Sequence, residues 1–190
     1  MKITIVGAGA LGSHVILFCR NIDAELHIID FDRVEKKNVM SQFHTGMGIG
    51  RNKTQALSQT MQGFFRKKLW ANSNKLIEDN IEILLHNADL VVDCTDNAEA
   101  RVLLQRHCKN RIPLLHGALA ADGEFGACVW ADHFKPDTEP SEGTATCEDG
   151  EQLPFITFVS SVIAMTIQEF VKDGTKRSTY IHPKRLLDLS

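Results

Sequence analysis

Hydrophobic and polar positions along this chain follow two rhythms. Short apolar runs over residues 2–6 and 25–29 predict strands, and helical spacing of apolar positions covers residues 10–21 and, beyond a polar loop, about 52–68. The same order returns with a helix at 80–86, a buried strand at 88–93, a helix at 97–109 and a strand at 113–119. A third strand is weakly marked near 69–77. This alternation yields a parallel sheet with helices on both faces, so five parallel strands are expected.

After residue 119 the rhythm changes. Residues 126–131 follow the Asp122-Gly123 turn signal closely enough to form a hairpin partner, which makes that strand antiparallel and the sheet mixed. A helix at about 155–171 and a closing strand at 178–181 complete the pattern. The expected fold class is α/β: a Rossmann-like, three-layer fold whose mostly parallel sheet is extended by antiparallel strands. A chain of 190 residues holds one sizeable core, so residues 1–190 are read as a single domain. Residues 132–154 are read as a long acidic crossover loop within it, carrying Asp137, Glu139, Glu142, Glu148, Asp149 and Glu151.

Composition narrows the function. With 43% hydrophobic and 24% charged residues the chain is of globular type. A net charge of −3 with scattered basic residues gives no electrostatic footprint for nucleic acid or an anionic membrane, and neither is expected as a partner. The apolar stretch at 155–167 is shorter than the roughly 20 residues of a bilayer span and reads as a buried helix. Met1 and Lys2 lead straight into the first strand without signal-peptide features, so export is not expected. Five cysteines, odd in number and without a C-x-x-C pair, point to reduced thiols in the cytoplasm and to no zinc site. Cys19, Cys94, Cys108 and Cys128 read as small core residues.

The first chemical motif is Gly7-Ala8-Gly9-Ala10-Leu11-Gly12, set between the first strand and the first helix. Gly7, Gly9 and Gly12 allow the sharp turn, let a phosphate approach the backbone and let the helix pack on the strand. Asp30, at the end of the second strand, stands where a carboxylate commonly binds ribose hydroxyls. Both features are shared by NAD and ATP binders, so an NAD-dependent oxidoreductase stays open at this point.

The continuation separates them. Asp30-Phe31-Asp32-Arg33-Val34-Glu35-Lys36-Lys37-Asn38-Val39-Met40-Ser41-Gln42, followed by Lys53, resembles the ThiF/MoeB and ubiquitin-activating family. The family's pattern is D-x-D-x-V-x-x-S-N-L-x-R-Q followed by a lysine. Asp30, Asp32, Val34, Asn38 and Gln42 match; Lys37 stands for the serine and Ser41 for the arginine. A second block, Asp93-Cys94-Thr95-Asp96-Asn97 with Arg101, resembles the family's D-C-T-D-N-x-x-x-R.

The resemblance implies an ATP-dependent adenylyltransferase that activates the C-terminal carboxylate of a small ubiquitin-like or sulfur-carrier protein, with ATP and magnesium as cofactors. It implies that Asp30 holds the ribose, that Asn38 and Lys53 contact the phosphates and that Asp96 binds magnesium. Asp32 and Gln42 belong to the same nucleotide site, and Arg51 is the nearby cation available to replace the missing arginine. Lys53, Asp96 and Cys147 are the candidate catalytic residues, Cys147 as the thiol of a thioester step. Bland roles compete: Asn38 as a turn cap, Lys53 as a solvated helix residue, Asp96 as the N-cap of the following helix. Arg101 either orients Asp96 or serves a structural role. The zinc-binding C-x-x-C pairs of many relatives are lacking, as is an N-terminal extension that carries a second arginine in some. The missing arginines lead to the expectation of a homodimer or heterodimer, and leave open a weakened partner half.

Overall fold

A computed structural model describes residues 1–120, 123–135 and 152–182. Its centre is a seven-stranded sheet built from β1 (Lys2–Val6), β2 (Glu25–Ile29), β3 (Leu69–Asn72), β4 (Leu90–Asp93), β5 (Leu114–Leu119), β6 (Gly126–Trp130) and β7 (Thr179–Ile181). The spatial order is β3-β2-β1-β4-β5-β6-β7. The first five of that order are mutually parallel and the last two pairings are antiparallel, as the change of rhythm after residue 119 implies.

Alternation along the strands divides the core between two faces. Ile3, Ile5, Leu26, Ile28, Val92 and Leu115 point toward α1 (Ala10–Phe18), α2 (Lys53–Phe65) and α5 (Leu153–Asp173), where Val15, Ile16, Leu57, Met61, Ile156 and Ile163 meet them. Val6, Ile29, Val91 and Leu114 face α3 (Ile81–Leu84) and α4 (Ala98–Cys108), against Ile81, Leu104 and Cys108. Three layers result. By length and composition α5 could cross a bilayer. Here it lies against α1, β5 and β6, with Phe155, Ile156, Val159, Ile163 and Ile167 buried. Close packing sets residue size beneath it: a Cβ on Gly126 would press on the Val159 side chain, one methyl lying 2.5 Å away.

Several elements end earlier than periodicity suggests, for local reasons. Helix α1 tightens into a 3-10 turn at Cys19–Asn21. Helix α2 stops at Phe65 because Arg66 turns left-handed, with φ 55°, and caps it. Strand β3 covers only Leu69–Asn72, since the Asn72 side chain accepts from the Asn74 amide and starts a turn. Helix α3 is a single turn, closed after a few residues by Asn87 at φ 56°. In contrast α5 begins earlier than expected, with Pro154 in its first turn, and ends at Gly174 in a left-handed conformation.

Candidate nucleotide site

The carboxyl ends of β1, β2 and β4 meet at one edge of the sheet, where ligands bind in open α/β folds. Gly7 leaves β1 at φ 97°, and a Cβ there would sit 2.7 Å from the Cys94 carbonyl oxygen. A Cβ on Gly12 would collide with the Gly7 carbonyl and lie 3.2 Å from Cys94 Cβ. These two glycines therefore serve packing, pressing the first turn onto the segment that follows β4. Gly9 differs: a Cβ there would meet nothing within 4 Å. It is the N-cap of α1, and no side chain among the described residues caps the helix, an arrangement that suits a phosphate.

On the β2 side, the Asp30 carboxylate accepts from the Ala8 amide at 2.6 Å and from the Asp32 amide at 2.8 Å. Burial pushes its pKa up, against these two hydrogen bonds and the nearby Lys53 charge. Lys53 is drawn to this carboxylate edge by backbone pairing: Val34 N–H bonds Arg51 O, Arg33 bridges Asn52, and Lys53 N–H bonds Asp32 O at 2.8 Å. Its ammonium, 9% exposed, lies 3.1 Å from Asp32 Oδ2. The solvated-helix reading of Lys53 is thereby set aside.

Asn52 is a residue that sequence reasoning missed. Its side chain caps α2 by accepting from Thr54 N–H and Oγ1–H, and its amide donates to the Asp30 carbonyl at 3.1 Å. The Asn before a helix is a legible cap signal, but its bond back to β2 is not. His44 was missed too. It is buried, and with Nε2 2.9 Å from the Ala8 carbonyl it pins the glycine loop from above.

The other expected β2-side residues divide. Asn38 is buried, and its carboxamide oxygen accepts from Glu35 N–H within a reciprocal capping box, so the turn-capping role is realised. Gln42 lies in the same loop, its Oε1 buried and without a partner among the described residues. Ser41 is fully buried, its hydroxyl likewise without a partner among the described residues. Arg51 is exposed and donates to Gln59 Oε1 at 2.5 Å along α2, away from the Asp32–Lys53 pair.

On the β4 side, Asp96 is exposed, and Asn97, not Asp96, caps α4 by accepting from the Ala100 amide at 3.0 Å. That corrects the capping alternative for Asp96 by one residue. Arg101 does not reach Asp96: it donates twice to the Thr95 carbonyl, at 3.1 and 2.5 Å, and lies 3.7 Å from Asp93 Oδ2. Cys19, Cys94, Cys108 and Cys128 are buried as expected. Burial pushes the Cys19 and Cys108 thiols to about 12 and Cys128 to about 11. Cys147, and most of the acidic loop at 132–154, lie outside the described residues.

Among the described residues no three His, Cys, Asp or Glu side chains gather into a metal cage. A lone carboxylate such as Asp96 still suits magnesium, which takes one or two carboxylates together with substrate phosphates.

Residues 1–180 match the model of the ThiF family. The chain is 28% identical over 157 residues to the SAMP-activating enzyme E1 of Haloferax volcanii, covering 75% of this chain and 58% of that protein. It is 31% identical over 170 residues to the adenylyltransferase and sulfurtransferase MOCS3 of Culex quinquefasciatus, covering 83% of this chain and 38% of that one. With the molybdopterin-synthase adenylyltransferase of Escherichia coli it shares 27% identity over 179 residues, 86% of this chain and 70% of that protein. The first two relatives are thus considerably longer than the part this chain spans. In fold, the crystal structure of E. coli MccB with ATP superposes with a TM-score of 0.75 at 14% identity, covering 96% of this chain and 60% of that one. With a family model matching almost its whole length, the chain belongs to the ThiF family.

Proposed function

We propose that this chain, read as one adenylation domain over 1–190, is an ATP-dependent adenylyltransferase acting on the C-terminal carboxylate of a small ubiquitin-like or sulfur-carrier protein. The observation that carries this reading is the convergence, at one sheet edge, of an uncapped helix N-terminus, a buried lysine and a bare carboxylate. A hydride-transfer enzyme needs the glycine loop and Asp30 but has no use for Lys53 and Asp96 in these positions.

In the proposed reaction a carboxylate oxygen of the carrier attacks the α-phosphorus of ATP. The bond from that phosphorus to the bridging oxygen breaks, pyrophosphate leaves and the acyl-adenylate remains. Asp30 accepts from the ribose hydroxyls, the first turn of α1 and Asn38 hold phosphate oxygens, and Asp32 and Gln42 shape the same pocket. Lys53 carries the fixed positive charge that the developing anion requires. Asp96 would hold magnesium, which when bound neutralises charge on the leaving pyrophosphate. The four described cysteines are buried, with thiols pushed up, and cannot present a thiolate to the product. A thioester step therefore rests on Cys147. We place the protein in the cytoplasm, as a dimer with itself or a partner.

One observation favours a second reading, that of a weakened partner half. Ser41 is buried and Arg51 is turned to Gln59, so among the described residues Lys53 alone is left as a buried cation beside Asp30 and Asp32. Carrier-dependent ATP–pyrophosphate exchange tests both. Exchange by this chain alone supports the enzyme. Exchange that appears only when a second ThiF-family chain is added supports the partner half, and tight NAD binding without an ATP response overturns both.

A further inference from the structure

The end of β4 holds a buried polar chain that the proposed chemistry does not use. Asp93 and His116, opposite each other across β4 and β5, are 0% and 1% exposed, with His116 Nδ1 2.7 Å from Asp93 Oδ2. A carboxylate only accepts, so Nδ1 carries the proton. The other carboxylate oxygen, Oδ1, accepts from both the backbone N–H and the hydroxyl of Thr95, at 2.9 and 2.7 Å. The Thr95 carbonyl in turn accepts from Arg101. Phe134 stacks on the imidazole with ring centroids 4.0 Å apart, and Gln105 of α4 holds the Phe134 carbonyl at 2.9 Å.

Two features set this cluster apart from ordinary packing. His116 Nε2 is buried and has no partner among the described residues, a cost that an apolar side chain in the same place would not carry. The gain that offsets it lies at Nδ1, in fixing Asp93. Asp96, meanwhile, is bracketed by two anchored residues: Thr95, tied at N, Oγ1 and O, and Asn97, tied as the cap of α4. Thr95 owes two of its three anchors to the Asp93 carboxylate, which His116 holds in place.

We infer that His116 is a positioning residue for the magnesium-holding carboxylate: through Asp93 and Thr95 it fixes the turn that aims Asp96 at the nucleotide phosphates. This rests on the function proposed above. Without the Nδ1 donor, the Asp93 carboxylate is free to rotate toward Arg101, already 3.7 Å away, and to draw that guanidinium off the Thr95 carbonyl. The turn then loosens on both sides of Thr95, and Asp96 must be ordered by the metal itself.

The test is calorimetry of ATP binding with excess magnesium and, separately, with EDTA, for the wild type, His116→Leu, His116→Asn, Thr95→Val and Asp96→Ala. The quantity read is the ratio of the two affinities. Asp96→Ala brings the ratio near one. His116→Leu lowers it about 10-fold, the size typical of outer-shell substitutions, and leaves the EDTA affinity within about 2-fold of wild type. His116→Asn, whose amide can still donate to Asp93, restores most of the ratio. Thr95→Val, which removes one link in an accessible turn, lowers it as well and decides the matter if His116→Leu does not fold. A purely structural role would weaken both affinities together. An unchanged ratio in His116→Leu, or in Thr95→Val where the former is unfolded, overturns the inference while Asp96 keeps its role. A wild type that does not bind ATP, or an Asp96→Ala protein with an undiminished ratio, overturns the functional reading instead.

Discussion

The two flanks of the glycine loop are built on opposite plans. On the β2 flank the charges are already matched: Asp32 faces Lys53, and Asp30 accepts two backbone amides. On the β4 flank the exposed Asp96 carboxylate has no partner among the described residues, while its sequence neighbours Thr95 and Asn97 take up the local hydrogen bonds. A buried cation needs a partner to remain charged in the resting protein, so the first flank is pre-paired. Under the proposed function Asp96 has to be free to accept a cation when it arrives, which suits a flank that fixes the backbone and leaves the side chain available.

The largest test of that contrast is Lys53→Ala. Removing the fixed cation beside a developing anion should lower carrier-dependent pyrophosphate exchange by about 100- to 1000-fold. Stability should fall by about 1–2 kcal/mol, because the buried stem of Lys53 loses its packing while Asp32, half exposed, can hydrate once its partner has gone. Next comes Asp96→Ala, expected to cost at least about 10-fold in metal-dependent ATP affinity. Its melting temperature should not move, since the exposed carboxylate caps nothing. A clear fall in melting temperature would mean that the β4 flank is pre-paired as well.

Asp30 sharpens the comparison through pH. Its folded pKa is raised above 3.8 by burial, so the fold binds that proton more tightly than the unfolded chain does. Its contribution to stability is therefore fully present below the unfolded value and is lost as pH rises through the folded one. Ribose binding under the proposed function has the opposite sign, because the ionised form is the acceptor. ATP affinity should drop about 5-fold as pH falls through the folded pKa, and Asp30→Asn should remove that dependence. Asn97→Ala should cost about 1 kcal/mol in urea unfolding, the usual worth of an N-cap; no loss would return the cap to Asp96.

How much of this was readable from the residues depended on where each one acts. The parallel strands at the site and the glycine loop follow from alternation and motif spacing, and the gathering of Asp30, Asp32 and Lys53 from the family resemblance, because those residues act through their side chains at the ends of strands. Asn52 and His44 escaped notice because they act on backbone atoms, the carbonyls of Asp30 and Ala8, which no motif displays. Of the two readings of Arg101, proximity along the chain suggested the one in which it orients Asp96, yet its length carries it to Thr95 and Asp93, the structural role. His116 raised no suspicion at all, since its partner lies 23 residues away and only the parallel register of β4 and β5 brings the two together. Boundaries failed where one asparagine or a left-handed residue outweighed a periodic pattern, as at Asn72 and Arg66.

The smallest expected effect belongs to His44 and compares the glycine loop's two supports. Asp30 holds the Ala8 amide from one side and His44 holds the Ala8 carbonyl from the other. Burial lowers the His44 pKa below 6.5, outweighing the bond to Ala8, and the charges of Lys53 and His14 act in the same direction as burial. His14, on the neighbouring helix, is lowered for the same main reason. A depressed folded pKa means that the neutral ring is the one the fold accepts. Its contribution is present above the unfolded value near 6.5 and is lost as pH falls through the folded value, the reverse of Asp30. The melting temperature should therefore fall on acidification below about pH 6.5. His44→Gln, whose amide can still donate to the Ala8 carbonyl but cannot be protonated, should reduce that fall by about 2–4 °C or less. Equal acid sensitivity in wild type and His44→Gln would show that the support above the glycine loop does not titrate, and that the acid response belongs to His14 or to groups outside the site.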